Sequence, residues 1–239
     1  MVRFYALRIL KDYIGHIILI GLPVVLISLM VAINAQAPGA PAMEEAALYI
    51  GLVYIIMFQG FGAAYTFEGI EHDFYKPFKD RLRAAPVNPM RFVVINILFG
   101  MTISFLQTLV LIGYIVLVFN VVIPHTVFVL VVLLLGVIFA QLLAALLIFT
   151  LKKAGLAQAA ITIYIIAGMV LAGFFFPLPE SNVTIFLSKF SSPLAWTHYA
   201  AYGFIEGQYS EAYLGLGLLA IASVLVALVV YQLSRKVAV

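Results

Sequence analysis

The chain has no cysteine, little charge and a single tryptophan. Without cysteine there is no disulfide and no thiolate metal site, although that absence says nothing about compartment. Charged residues make up 10% of the 239 positions, against roughly a quarter in an ordinary soluble domain. Apolar residues make up 65%. A water-soluble fold of this size lacks the interior to bury so many apolar side chains, so lipid must act as part of the solvent. Catalytic signatures are also missing. No Gly-rich loop followed by Lys-Ser or Lys-Thr is present to cradle ATP phosphates, and no His-Glu-x-x-His zinc motif occurs. No serine sits in a nucleophile-elbow context. His16, His72, His125 and His198 fall at or near the predicted membrane boundaries and read as interfacial residues rather than ligands.

What is present is a series of long uncharged runs: 13–43, 46–67, 92–151, 154–179 and 212–234. About 20 apolar residues make one helical crossing. The third run is long enough for two, and Asn120 to His125, with Pro124, breaks it. The expectation is therefore an all-α integral membrane protein, one domain over 1–239. Its six spans are predicted near 15–33, 47–67, 92–119, 126–150, 156–175 and 212–233. The first run follows Arg3, Arg8 and Lys11 in the manner of a signal peptide, but it is long for an h-region and five further crossings follow. Continuous apolar runs of this length also exclude the alternating pattern of a membrane β-barrel.

Six crossings sort the polar segments into two sets. One holds the N-terminus, 68–91, Lys152-Lys153 and the C-terminus, and contains every one of the 13 basic residues except Lys189. The positive-inside rule places this set, and both termini, in the cytoplasm. The net charge of +3 is thus a topology signal and does not point to nucleic acid. No Asp or Glu falls in the middle of a span, which argues against a proton- or sodium-driven carrier. The polar residues inside spans are neutral: Gln59, Asn96, Thr102, Ser104, Gln107, Gln141, Gln158 and Ser223. Each is expected to bond another helix or its own backbone, with Gln59 and Gln107 the candidates for a substrate path. Gly60 and Gly62 on span two, and Gly168 and Gly173 on span five, suit close helix packing.

Two connections exceed what a minimal bundle needs. The first, Glu68 to Arg91, begins with Glu68, Glu71 and Asp73. It continues with Phe74, Phe78 and Leu82 at four-residue spacing, which shares one helical face, with Lys79, Arg81 and Arg83 elsewhere. Pro77 suits a first helical turn, and Pro86 and Pro89 end the segment. It reads either as a helix lying on headgroups or as one that docks a cytoplasmic partner. The second, about 176–211, follows Gly173-Phe174-Phe175-Phe176-Pro177 and contains Ser192-Pro193-Leu194-Ala195-Trp196. Its uncharged stretch 190–205 is short for a crossing and carries Trp and Tyr, so short re-entrant or interfacial helices between spans five and six are expected.

Together these features resemble the permease subunit of an ATP-binding cassette transporter of the type-2, exporter-like (ABC-2) class, over nearly the whole chain. In that family the first cytoplasmic loop carries a coupling helix, to which Glu71 to Val87 corresponds. Arg81-Leu82-Arg83-Ala84-Ala85-Pro86-Val87 is the closest part. Lys76-Pro77-Phe78 departs from the family's usual Glu, Gly and Thr. The family's Gly-x-x-Phe-x-Pro turn and following Ser-Pro match Gly173 to Pro177 and Ser192-Pro193 to Trp196. The resemblance implies an ATPase-coupling region at Glu71, Asp73, Phe74, Phe78, Arg81, Leu82, Arg83 and Pro86. It also implies an external gate region at Gly173, Phe176, Pro177, Pro193 and Trp196. It implies a second permease subunit, identical or homologous, and two copies of a separate cytoplasmic ABC ATPase that bind the ATP and Mg. This chain itself would hold no cofactor and catalyse nothing. It would sit in a prokaryotic cell membrane and export a small amphiphile such as a drug, antibiotic or lipid-like compound. A stand-alone secondary carrier and a non-transport multi-span protein are the alternatives.

Overall fold

The computed structural model describes residues 13–39, 41–76, 88–176, 178–179 and 181–238. These form helices and no strand. In chain order they are α1 (Tyr13–Asn34), α2 (Met43–Phe61), α3 (Ala64–Phe74), α4 (Pro89–Phe119), α5 (Thr126–Leu151), α6 (Ala154–Leu171), α7 (Asn182–Phe190), α8 (Pro193–Ile205) and α9 (Tyr209–Ala238). Six helical units are long and apolar enough to cross a membrane: α1, α2 with α3, α4, α5, α6 and α9. The all-α, six-span fold matches the expectation.

Local chemistry sets the boundaries. Asn88 caps α4 by accepting a hydrogen bond from the Met90 amide at 2.9 Å, and Pro89 fills the first position, where a missing N–H costs nothing. Asn120 ends the same helix in the left-handed region at φ 53°, which asparagine tolerates. The break sought around Pro124 is thus made by Asn120 on one side and His125 on the other. Ser192 caps α8, with Pro193 behind it. α6 ends in a Schellman motif: Gly173, at φ +75°, donates to Val170 and Phe174 donates to Met169, each at 3.0 Å.

The second span differs from a plain helix in two ways. It is interrupted at Gly62–Ala63, and it runs on to Phe74 rather than stopping near Phe67. The segment read as loop from Glu68 therefore starts as helix. The charges at 68, 71 and 73 ended the uncharged run without ending the helix, because Glu71 and Asp73 have partners in the fold. At the interruption, the Thr66 N–H donates to the Ala63 carbonyl at 3.0 Å, and the Gly62 carbonyl is taken up by Gln141 Nε2 at 3.3 Å. Broken backbone inside a membrane bundle needs a protein partner of this kind.

α5 lies at the middle of the bundle, packed against α2, α3, α4, α6, α8 and α9. α1 touches chiefly α2 and α4. Its Ile14, Ile17, Ile18, Val25 and Ile33 are exposed, as are Ile221, Val224, Leu225 and Leu228 of α9. These exposed faces are apolar, and the polar residues within the spans bond their own or a neighbouring helix. Thr102 and Ser223 bond their own backbone, at Leu98 and Leu219. Asn96, Gln59 and Gln141 reach across helices.

Candidate functional site

Several contacts gather one end of the bundle. The Ala154 amide, at the start of α6, donates to Glu71 Oε1 at 2.8 Å. Glu71 Oε2 pairs with Lys76 Nζ, also at 2.8 Å. A carboxylate at a helix N-terminus meets both a free N–H and the positive end of the helix dipole. Asp73 is buried at 1% exposure, and its Oδ2 accepts from Asn96 Nδ2 of α4 at 2.9 Å. Its Oδ1 lies 3.0 Å from His72 Nδ1. A buried carboxylate without such partners would be costly. Phe74 packs edge-on against Phe149 of α5 at 5.9 Å. At the same end Ser234 of α9 contacts Met90 of α4. The end where 76, 91, 152 and 153 place their basic side chains is therefore one face of the bundle, hereafter the basic end.

The residues expected to couple to an ATPase divide accordingly. Glu71, Asp73 and Phe74 lie together on the last two turns of α3 and tie it to α4, α5 and α6. Tyr75 and Lys76 then turn, with both amides donating to the Glu71 carbonyl. Phe78, Arg81, Leu82, Arg83 and Pro86 lie outside the described residues.

Deeper in the bundle, Gln141 is fully buried. It donates to Ser104 Oγ at 2.9 Å and to the Gly62 carbonyl, and accepts from Thr66 Oγ1 at 2.6 Å. Gln59 donates to Thr108 Oγ1 at 3.0 Å and to the Leu133 carbonyl at 3.3 Å. Gln107 donates to Tyr65 OH at 3.3 Å, and Tyr65 OH lies 2.8 Å from His16 Nδ1. Both candidate pathway residues thus sit in interhelical contacts of this chain. Gly60 and Gly62 allow the approach: a Cβ on Gly60 would come within 2.6 Å of Ile165, and one on Gly62 would strike Ser104 Oγ.

At the far end, Gly173 shapes the exit of α6 and Pro193 starts α8, and the two elements meet where Gly168 faces Leu194 and Ser192. Phe176 is exposed, and Pro177 lies outside the described residues. Trp196 lines a separate groove between α8 and α9. His198, expected at a boundary, is instead buried among rings: Phe174 at 4.5 Å, Tyr49 at 5.1 Å and Tyr202 at 5.6 Å. Burial pushes its imidazole down to about 3, so the ring is neutral. No feature of the sequence around His198 signalled this cage, whose members come from two helices and a turn. Among the described residues no cluster of His, Asp or Glu side chains is arranged to hold a metal.

Residues 33–231 match the sequence model of the ABC-2 family transporter proteins. The chain belongs to that family. No curated protein matches it. As an ABC-2 permease it is a multi-pass membrane protein of a non-catalytic transporter family, with six apolar helices long enough to cross a membrane. The match runs from the end of α1 to the C-terminal part of α9, so it takes in the broken second span, the Glu71 junction and both short far-end helices.

Proposed function

We propose that this ABC-2 permease is the transmembrane half of an ATP-driven exporter, with its basic end and both termini in the cytoplasm. The observation that carries the reading is the Glu71 junction, in a chain whose family is that of ABC-2 transporters. One carboxylate links the last turns of α3 to the first turn of α6, immediately before the segment 77–87. A pull on that segment is therefore felt at once by spans two and five, and, through Asp73 and Asn96, by span three. This is the wiring a docking segment needs to pass the closure of a soluble ATPase into the membrane. The excess of Lys and Arg at the same end supports its cytoplasmic placement.

The region 71–86 docks the ATPase, which holds the ATP and Mg. Two ATPase copies serve two permease subunits, alike or homologous. The far-end residues Gly173 to Pro177 and Pro193 to Trp196 form a low cover where the substrate leaves. The substrate class is a small amphiphile. A groove of about 510 Å³ beside α1 and α2 supports this: it is lined by Ile14, Ile18, Leu22, Phe58 and Phe61, with Glu68 and Gln158 supplying polarity.

The test is co-expression with a soluble Walker-motif ATPase, followed by reconstitution. The permease should co-purify with the ATPase and drive ATP-dependent efflux from vesicles. Phe78→Asp and Leu82→Asp should abolish stimulation of the ATPase while the chain still inserts. Proton-driven transport by the lone purified chain would overturn the reading. Unchanged ATP-driven transport in both variants would overturn the docking role alone.

A further inference from the structure

The far end of the bundle carries a groove on the outer side of the exit elements, with Trp196 common to both. The groove, of about 230 Å³, opens between α7, α8 and α9, lined by Lys189, Phe190, Trp196, Tyr199, Glu211 and Leu218. Lys189 Nζ, on α7, pairs with Glu211 Oε1, on α9, at 2.8 Å. Both side chains keep more than a third of their surface exposed, so both charges can be reached from outside. Glu211 raises the Lys189 amine above its ordinary value, so the ammonium is fully charged at neutral pH. The ammonium also lies 5.6 Å from the centre of the Tyr199 ring, which favours a cation there.

Below the ion pair the groove turns apolar. Leu214 and Leu218, one helical turn apart on α9, continue it down the outside of the sixth span, and Leu214 is exposed to lipid. The Trp196 indole stands in the wall, and its N–H is buried with no acceptor among the described residues.

Charge at the top and hydrocarbon below describe a lipid site, and the sign of the charge selects the lipid. A lone lysine would favour any anionic headgroup. A Lys–Glu pair is neutral in sum and fits a headgroup that carries both signs. We infer that this groove binds a zwitterionic phospholipid with a primary ammonium headgroup. Its phosphate accepts from Lys189, its ammonium donates to Glu211, and an acyl chain lies along Leu214 and Leu218. Opening the ion pair to admit the headgroup leaves each charge with an opposite partner. The assignment holds whichever compound the permease exports and whichever leaflet the far end faces.

Trp196 is the only tryptophan of the chain, so its emission reports on this groove alone. The full chain is placed in phosphatidylcholine nanodiscs doped with phosphatidylethanolamine or phosphatidylglycerol, each carrying the same dibrominated acyl chain. The ethanolamine lipid should quench Trp196 at a mole fraction about three-fold lower than the glycerol lipid, as one modest charge pair allows. Lys189→Met and Glu211→Gln should each erase that preference. Either variant alone decides the point, so loss of folding in one leaves the other as the test. Equal quenching by the two lipids in the parent chain would reduce the groove to ordinary lipid contact. A preference that survived in the folded variants would place recognition elsewhere. A preference for the glycerol lipid would make Lys189 a simple anion site. Each of these three results overturns the inference.

Discussion

The first span is the more apolar of the first two, and the second is the more buried. Within the most apolar stretch of each, 17% of residues are buried in α1 and 83% in the span made of α2 and α3. α1 leaves most of its apolar surface uncovered by the other described helices. The second span touches α1, α4, α5, α6 and α8 through its two helices. It carries the break at Gly62–Ala63, the polar contacts of Gln59 and Thr66, and the charged turns at Glu71 and Asp73. In water a buried span would be the oily one and an exposed span the polar one. In lipid the order reverses, because the polar group is what has to be hidden.

That contrast can be broken or sharpened by substitution. The largest effect is expected at Gly60→Leu, where the new side chain would overlap Ile165 of α6. A loss of about 3 kcal/mol is expected, typical of overpacking, and thermal unfolding in detergent micelles would measure it. A melting midpoint equal to the parent's would mean that spans two and five are not packed as described. Next is Gln141→Leu, which strips partners from the Gly62 carbonyl, Thr66 and Ser104 together. About 1–2 kcal/mol should be lost in the same assay, and Ser104→Ala on top of it should add little, because the two share one contact. Glu71→Gln should lower the stability less, by about 0.5–1 kcal/mol, since the amide keeps an acceptor for Ala154 but loses the charge facing Lys76. Its effect should appear mainly as weaker stimulation of the partner ATPase, and full stimulation would remove Glu71 from the coupling path. The smallest effect is expected at Val25→Ala on the lipid face of α1, within about 0.5 kcal/mol of the parent. A large loss there would show that α1 is covered by something other than lipid.

Legibility in the sequence followed the range of the interactions. The break from Asn120 to His125 was readable, because a cap or a proline acts within a few residues of itself. The extension of span two to Phe74 was not. Glu71 and Asp73 look like loop residues until Ala154 and Asn96 are brought to them from 83 and 23 positions away. The break at Gly62–Ala63 was hidden in the same way. Its glycines read as a packing patch, and the residue that makes an interruption tolerable, Gln141, lies two spans along the chain. Gln59 and Gln107 were singled out as polar residues in apolar runs, and both were found in interhelical hydrogen bonds. The enclosure of His198 was not readable, because nothing local distinguishes a ring that meets water from one enclosed by Tyr49, Phe174 and Tyr202.

The turn at Gly62–Ala63 also fixes a mechanical ratio. α3, with its 11 residues, is a rigid arm about 16 Å long, so swinging it by ten degrees about that turn carries Phe74 by about 3 Å. The Gln141 amide, seated at the pivot, would hardly move in the same swing. A small rotation near the centre of the bundle and a displacement of bond-breaking size at its edge are then one motion, and Glu71 lies at the edge.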